Sequence, residues 1–303
     1  MDDFELTLLA MPTVIWYILF TYLPMFGIII AFKRIRAPKR GVGFLTHILT
    51  SENAGLDNFR FVFGGRDASL MFRNTLGYNT VFIILGMVTA VGLALMISQL
   101  HSKRLAKVVQ TAMFLPHFLS WVVVSYFVFS FLSMDKGLIN TFLSEAGRDS
   151  IQWYMQPQYW PYILIFLNLW KGTGYGMVVY LASISGIDGE LYEAAIIDGA
   201  KKSQQIKYIT LPLLKPIILI MFILAVGRIF STDFGLFYQV PRNSGPLVDV
   251  TQTIDVYVFK ALMGNPNYGF AAAAGLLQSV FGLIPILIAN AVVRRIDAEN
   301  ALF

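Results

Sequence analysis

The sequence contains no cysteine, which excludes a disulfide scaffold, a thiol nucleophile and a cysteine-ligated metal site. Its three histidines lie in different segments and predict no metal cluster. No Gly-x-x-x-x-Gly-Lys-Ser/Thr phosphate loop occurs, and no serine–histidine–acid or paired-carboxylate pattern stands out. Gly172, Gly174 and Gly176 form a glycine-rich run, but it lies inside an apolar stretch and favours close helix packing. The chain is therefore predicted not to be an enzyme and not to bind ATP by the usual route.

Charged residues are scarce. They make up 14% of the 303 residues, and hydrophobic residues make up 56%, whereas about a quarter of an average soluble protein is charged. The net charge of +5 fits loop residues near lipid headgroups better than nucleic-acid binding. Six apolar stretches reach the length of about 20 residues that a membrane helix needs. The sequence thus predicts an all-α transmembrane protein, with a single domain over 1–303 and spans at about 6–32, 74–100, 108–134, 161–184, 213–232 and 270–293.

The fourth and fifth predicted spans are separated by a polar, charged loop at 186–212. Asp188 can cap a short helix there, with Glu190 and Glu193 near its positive N-terminal end. Gly199 is a natural stop, since a helix often ends in a left-handed residue without Cβ. Ser203 can cap a second helix. The loop is therefore predicted to fold as helix, sharp turn and helix, a compact knob presented outside the membrane.

The first helix of the knob places Leu191, Ala194 and Ala195 on one face, where the two alanines let another surface approach closely. The pattern Glu-Ala-Ala, three residues, Gly, nine residues, Ile, one residue, Leu-Pro runs without gaps from Glu193 to Pro212. It resembles the coupling loop of the membrane subunits of binding-protein-dependent ABC importers; the alternative is an ordinary amphipathic interfacial helix. The resemblance implies a set of ATPase-coupling residues: Glu193, Ala194, Ala195, Asp198, Gly199 and Ala200.

The resemblance covers nearly the whole chain, including the segments 72–76, 114–123, 170–171, 180–182, 186–188 and 255–258 and the terminal pair 294–295. It points to maltose-importer-like permeases of the branch associated with oligo- and polysaccharide uptake. The implied fold is a six-helix type I importer permease in the bacterial cytoplasmic membrane, and the implied function is ATP-driven carbohydrate import. The alternative from another class is a secondary carrier or channel that works without ATP.

The resemblance also implies partners. These are a second homologous permease, two cytosolic ATPase subunits, an extracellular lipid-anchored solute-binding protein, a carbohydrate substrate and membrane lipids. ATP and Mg²⁺ would be held by the ATPase subunits. No cofactor, metal or nucleic acid is expected for this chain.

Ionisable residues inside membrane spans are costly and suggest function. Lys171 and Arg228 lie inside predicted spans, and Asp233 lies at a span end. With Trp170 and Tyr175 they predict a substrate path, because aromatic rings suit the apolar faces of sugars and cations suit an acidic glycan. The alternatives are structural: Lys171 bonds a neighbouring carbonyl, and Arg228 pairs with Asp233.

The orientation of the chain is ambiguous from charge. The resemblance places loop 186–212 and both termini in the cytosol. That side then holds nine lysines and arginines and the opposite side twelve, so the positive-inside rule slightly favours the reverse orientation. The motif is preferred because an ATPase partner must be cytosolic. Lys39 is accordingly predicted outside the cell and Lys202 inside.

Overall fold

The structure is a computed structural model that describes residues 3–35, 43–62, 65–264, 267–296 and 301. The described residues form helices and turns with one isolated antiparallel bridge, between Lys33 and Asn53. This confirms the all-α prediction. The α-helices are α1 (Asp3–Tyr17), α2 (Leu23–Met25), α3 (Phe44–Thr50), α4 (Gly65–Ser98), α5 (Lys103–Phe114), α6 (Trp121–Leu132), α7 (Leu138–Glu145), α8 (Trp160–Ser185), α9 (Gly189–Ile197), α10 (Lys202–Gln205), α11 (Leu211–Val226), α12 (Val248–Thr251), α13 (Ile254–Gly264) and α14 (Tyr268–Ile296).

The chain divides into two compact units, one formed by 1–69 with 257–280 and the other by 70–256 with 281–303. The boundaries at 69, 256 and 280 fall inside α4, α13 and α14. In the first unit, Asn58 Nδ2 donates hydrogen bonds to the carbonyl oxygens of Ala31 (2.8 Å) and Lys33 (3.0 Å). Gly269 lies so close to both Asn58 and Lys33 that a Cβ at this position would collide with them.

The second unit has two clusters of buried apolar side chains. One surrounds Trp160, which is fully buried and donates its indole N–H to the Trp153 carbonyl over 2.8 Å. The other joins α4, α8 and α11 through Ala94, Met177 and Leu214, all fully buried. The second cluster lies on the same helices that lead into and out of loop 186–212, and so it anchors the loop on both sides.

Four described helical stretches are long and apolar enough to cross a membrane: Thr7–Phe32, Asp67–Ser98, Lys202–Val226 and Tyr268–Arg295. They overlap the first, second, fifth and sixth predicted spans. A further candidate is the pair Lys103–Phe118 and Trp121–Leu132, which is bent by 98°. Helix α8 has 26 residues, about 39 Å at 1.5 Å per residue, but its polar residues, among them Asn168 and Lys171, lower its mean hydropathy. The fourth span therefore stays a prediction.

Two predicted spans are not straight helices. The span at 108–134 breaks because Pro116 supplies no backbone N–H and Ser120 starts a new helix by accepting a hydrogen bond from Val123 N at 3.3 Å. The span at 213–232 ends early, since α11 stops at Val226 and turns follow to Phe230. Both breaks lie in the second unit, and they form the second of the two candidate sites described below.

Candidate functional site

Helix α9 begins as the sequence predicts. Asp188 is its N-cap, and one carboxylate oxygen accepts a hydrogen bond from the backbone N–H of Glu190 at 3.0 Å. The cap satisfies one of the N–H groups that a helix leaves open at its start. Glu190 also places a negative charge in the first turn, where the helix dipole favours it. The local chemistry of Asp188 and Glu190 therefore fixes where the helix starts.

The end of α9 is also as predicted. Gly199 has φ +76, in the left-handed region. The turn is closed by hydrogen bonds from Gly199 N to the Ile196 carbonyl (3.0 Å) and from Ala200 N to the Ala195 carbonyl (2.8 Å). Such a pair of bonds around a left-handed glycine is a common way to end a helix. Ala200 and Asp198 thus lie in the turn, where they stand next to the exposed end of α9.

The prediction that Ser203 caps the second helix is wrong. The N-cap of α10 is Lys201, whose backbone N–H donates to Gln204 Oε1 at 2.7 Å. The Gln204 side chain folds back on the start of the helix and takes the place of a serine cap. Gln205 is buried and its amide donates to the Ala200 carbonyl at 3.2 Å. Polar side chains of α10 therefore hold the turn after α9.

The knob presents an open surface. In α9, all of which the structure describes, only Tyr192 and Ala195 are not exposed. Glu193, Ala194, Asp198 and Gly199 are exposed. Apolar side chains stand beside them: Leu191 is 47% exposed, Ile196 62% and Ile197 86%. Sequence reasoning missed the two isoleucines, although a pair of large aliphatic residues inside a polar loop is a signal that something covers them.

The second group of candidate residues lies where two helical segments break. Helix α5 ends at Phe114, a 3-10 turn follows to Phe118, and α6 starts at Trp121. Irregular backbone at membrane depth is tolerated where protein buries it or where it lines a water-filled cavity. The break after α11 carries Asp233, which accepts a hydrogen bond from Trp121 Nε1 with one carboxylate oxygen and from Gly235 N (2.9 Å) with the other. The two breaks therefore meet at the Trp121–Asp233 bond.

Lys171 lies at the same place. Its ammonium group donates to the His117 carbonyl at 3.0 Å and stands 5.2 Å from the centre of the Trp121 ring. A lysine bound to a neighbouring carbonyl was the structural alternative for this residue, and the bond is present. An ammonium group has three N–H donors, so this bond leaves donors that a ligand can use.

Tyr175 stacks on the His117 ring at 5.0 Å with an angle of 19° between the rings. It also lines a cavity of about 270 Å³ between α4, α8 and α11, together with Asn168 and Thr173. The tyrosine is 51% exposed. Tyr175 therefore connects the polar cluster around Lys171 with this cavity.

Trp170 and Arg228 are not part of the cluster. Trp170 lines a separate apolar groove of about 550 Å³ between α6 and α8. Arg228 is exposed and, within the described ranges of the chain, its guanidinium has no carboxylate at ion-pair distance. The proposed Arg228–Asp233 pair is therefore not formed, because Asp233 turns toward Trp121.

Sequence reasoning did not place Trp121 and His117 in the path. Trp121 is the residue that links Lys171 to Asp233, and His117 supplies both a ring and a carbonyl. A signal was available: Pro116 and Ser120, a helix breaker and a cap, stand together inside an apolar run. No group of three or more histidine and acidic side chains that could hold a metal occurs among the described residues.

Comparison with known proteins shows the family to which this chain belongs. A family model described as a binding-protein-dependent transport system inner membrane component matches residues 82–298. The chain belongs to this family. Protein LplB of Bacillus subtilis (strain 168) is 30% identical to this permease subunit over 98% of the chain and 91% of the relative. The polygalacturonan/rhamnogalacturonan transport system permease protein YteP of the same strain is 31% identical over 97% of the chain and 89% of the relative.

Solved structures agree. The permease subunit matches a chain in the crystal structure of a bacterial ABC transporter involved in the import of the acidic polysaccharide alginate, with a TM-score of 0.83 and 33% identity. The match covers 97% of this chain and 96% of that chain. A second crystal structure, of a bacterial alginate ABC transporter in complex with its pentasaccharide-bound periplasmic protein, matches with a TM-score of 0.82. The type I importer permease fold is confirmed, and the chain is a membrane transport subunit rather than an enzyme.

Proposed function

We propose that this permease subunit imports an acidic oligo- or polysaccharide in an ATP-driven ABC importer. The observation that carries the proposal is the cluster at the two helix breaks, where the Lys171 ammonium lies beside the Trp121 ring. Tyr175 stacks on His117 in the same cluster and also lines the neighbouring cavity. Ring faces stack on the apolar C–H faces of sugars. Cations bind carboxylates through strong charge-assisted hydrogen bonds, and Lys171 and Arg228 are the cations near the breaks. The named substrates of YteP and of the alginate importer are acidic polysaccharides as well.

Partners follow from the family and from what the chain lacks. A subunit without a phosphate loop needs separate ATPase subunits, which would hold ATP and Mg²⁺. The proposed assembly contains a second homologous permease, two cytosolic ATPase subunits and an extracellular, lipid-anchored binding protein. It lies in the bacterial cytoplasmic membrane as a multi-pass protein, with loop 186–212 in the cytosol.

The knob is proposed as the ATPase contact. Its exposed isoleucines would enter a cleft on the ATPase, where burying a large aliphatic side chain contributes roughly 1.5–3 kcal/mol. Glu193 is exposed and would bond a basic or polar group there, while Ala194 and Ala195 leave room for the wall of the cleft. When the ATPase subunits close on ATP, the knob moves with them. This rigid-body movement drives the permease pair from inward-open to outward-open.

The test uses the purified complex with its binding protein in lipid nanodiscs. ATP hydrolysis is measured with neutral oligosaccharides, with uronate oligosaccharides and with their methyl esters, which lack the charge. We expect the uronate compounds alone to stimulate hydrolysis strongly. Stimulation by neutral sugars and methyl esters to the same extent would refute the acidic preference, and stimulation by no saccharide would refute carbohydrate import.

A matched pair of variants locates the charge. Arg228→Gln removes the guanidinium near the break, and Arg148→Gln removes an exposed arginine of the connection before α8. A hydrogen bond to a charged group contributes about 1.5–3 kcal/mol, so Arg228→Gln should lower uptake of the uronate compound roughly 10- to 100-fold. Arg148→Gln should leave it unchanged. Equal uptake by the two variants would remove Arg228 from the path.

A further inference from the structure

One polar contact ties the knob to the membrane core. The phenol oxygen of Tyr192, on α9, lies 2.9 Å from the hydroxyl oxygen of Thr210. Thr210 is 1% exposed, and Tyr192 is half-buried on a helix whose other side chains mostly face solvent. The bond joins residues 18 apart in the sequence. It is therefore a direct link across the loop and not a feature of either helix alone.

Thr210 is well placed to pass on a displacement. It is the last residue of the π-helical segment Ile206–Thr210, and α11 starts at the next residue. One turn further along, Leu214 is fully buried in the cluster that also contains Met177 of α8 and Ala94 of α4. A force applied at Thr210 therefore acts on a helix that is packed into the core of the second unit.

The chain segment that connects α9 to α11 is a less rigid link between them than the Tyr192–Thr210 bond. It contains the left-handed turn at Gly199, the short helix α10 and the π-helical segment, which is a rare geometry with wider turns. Gln205 braces this connection through its bond to the Ala200 carbonyl, but that bond stays inside the connection. The Tyr192–Thr210 hydrogen bond, in contrast, bypasses the connection and links α9 directly to the residue before α11.

We propose that Tyr192 is a positioning residue. It couples the knob to α11 through Thr210, so that movement of α9 is transmitted to α11 and the helices packed against it. The tyrosine does not need to touch the ATPase or the substrate. When the bond is absent, α9 can follow its partner while the connection absorbs part of the movement. ATP is then hydrolysed without a complete transport step. The proposal rests on the coupling role proposed for the knob.

The experiment uses the whole importer, reconstituted with its binding protein. Tyr192→Phe removes one oxygen and keeps the ring, and Thr210→Val replaces the hydroxyl with a methyl group of similar size. The measurement is the number of substrate molecules transported per ATP hydrolysed. A single internal hydrogen bond changes an equilibrium roughly 2- to 10-fold, so the ratio should fall by this amount in both variants. Co-purification of the ATPase should stay at the wild-type level.

Two control variants match these changes. Thr210→Ser keeps the hydroxyl, and Tyr208→Phe removes the same oxygen from an exposed tyrosine of the same π-helical segment. Both should transport with the wild-type ratio. Thr210→Val also removes the hydrogen bond from the Thr210 hydroxyl to the Gln205 carbonyl (3.5 Å). In the Tyr192→Phe/Thr210→Val double variant the ratio should therefore fall no further than in Thr210→Val alone, because Tyr192→Phe then has no Thr210 hydroxyl left to lose.

The results distinguish a purely structural bond from a failure of the coupling role of the knob itself. A lower thermal stability or a lower yield of complex, with an unchanged ratio, would mean that the bond is only structural and would overturn the proposal. Additive losses in the double variant would overturn it as well. If Ala195→Asp, which places a charge on the proposed contact face, leaves ATPase attachment unchanged, the coupling role of the knob itself fails. That result differs from a failure confined to Tyr192.

Discussion

The turn at Gly199 offers the sharpest perturbation of the knob. With φ +76 the residue lies where an L-amino acid costs roughly 1–2 kcal/mol. A Cβ added at Gly199 would meet nothing within 4 Å, so backbone strain is the whole cost inside this chain. Gly199→Ala should therefore destabilise the turn by about 1 kcal/mol, and Gly199→Val, with its β-branched side chain, should destabilise it by more. Asparagine tolerates the left-handed region and should cost least. A cost of one to two kcal/mol lowers the population of the native turn about 5- to 30-fold.

The assay is co-purification of the ATPase subunits with Gly199→Asn, Gly199→Ala and Gly199→Val, together with substrate uptake. We expect attachment to decrease in that order, from nearly wild type to strongly reduced. Membrane insertion of the variants should be normal, because the turn lies outside the apolar spans. The series refutes the strain argument if asparagine and valine reduce attachment equally, since side-chain volume would then matter more than backbone conformation. Normal attachment in all three variants would show that this loop is not the coupling site.

Two further predictions concern other regions. Burial raises the pKa of Tyr154 to about 12, above the ordinary value near 10, so its neutral form stabilises the fold fully below pH 10 and this contribution is lost as the pH rises toward 12. Tyr154→Phe should therefore flatten the loss of thermal stability between about pH 10 and pH 12, and an unchanged pH profile would contradict this. For topology, an impermeant thiol reagent on intact, wall-stripped cells should label Lys39→Cys, which lies outside the described residues, and spare Lys202→Cys until the membrane is permeabilised; the reverse pattern would exclude the importer orientation.

The knob could be predicted from sequence because its structure is determined by local chemistry. The Asp188 cap and the left-handed Gly199 each depend on residues within one or two turns. The Ser203 prediction failed for a local reason too: Gln204 can reach back to the N–H of Lys201, so the helix starts earlier than a serine cap would place it. Competing caps a few residues apart cannot be ranked by residue type alone.

The candidate path was harder to predict because its contacts are distant in sequence. Asp233 stands five residues after Arg228, which suggested a pair, but it bonds Trp121, 112 residues away. The bend before α6 was missed because an apolar run with one proline also fits a kinked continuous span. Such choices depend on which helices pack together, and hydropathy carries no information about that.

The knob lies between the two helices, α8 and α11, that lead to the candidate path. Helix α8 carries Lys171 and Tyr175 and leads directly into α9. Helix α11 starts at the residue after Thr210, and the break that follows it carries Arg228 and Asp233. At 1.5 Å per residue the 16 residues of α11 extend about 24 Å, from the knob toward the depth of the break. If α9 moves with the ATPase as proposed, the displacement would therefore act on both helices that hold the candidate path.

Close packing at the far end of α11 gives that displacement a definite consequence. A Cβ on Gly227 would collide with Ile286, and a Cβ on Gly282 would lie 2.8 Å from the Gly227 carbonyl oxygen. Backbones this close cannot slide past each other without a rearrangement, because packed interiors deform little. Movement of α11 should thus change the break at Arg228 and Asp233 in a discrete step. The Trp121–Asp233 bond joins this break to the bend before α6, so a step at one break would act on the other as well.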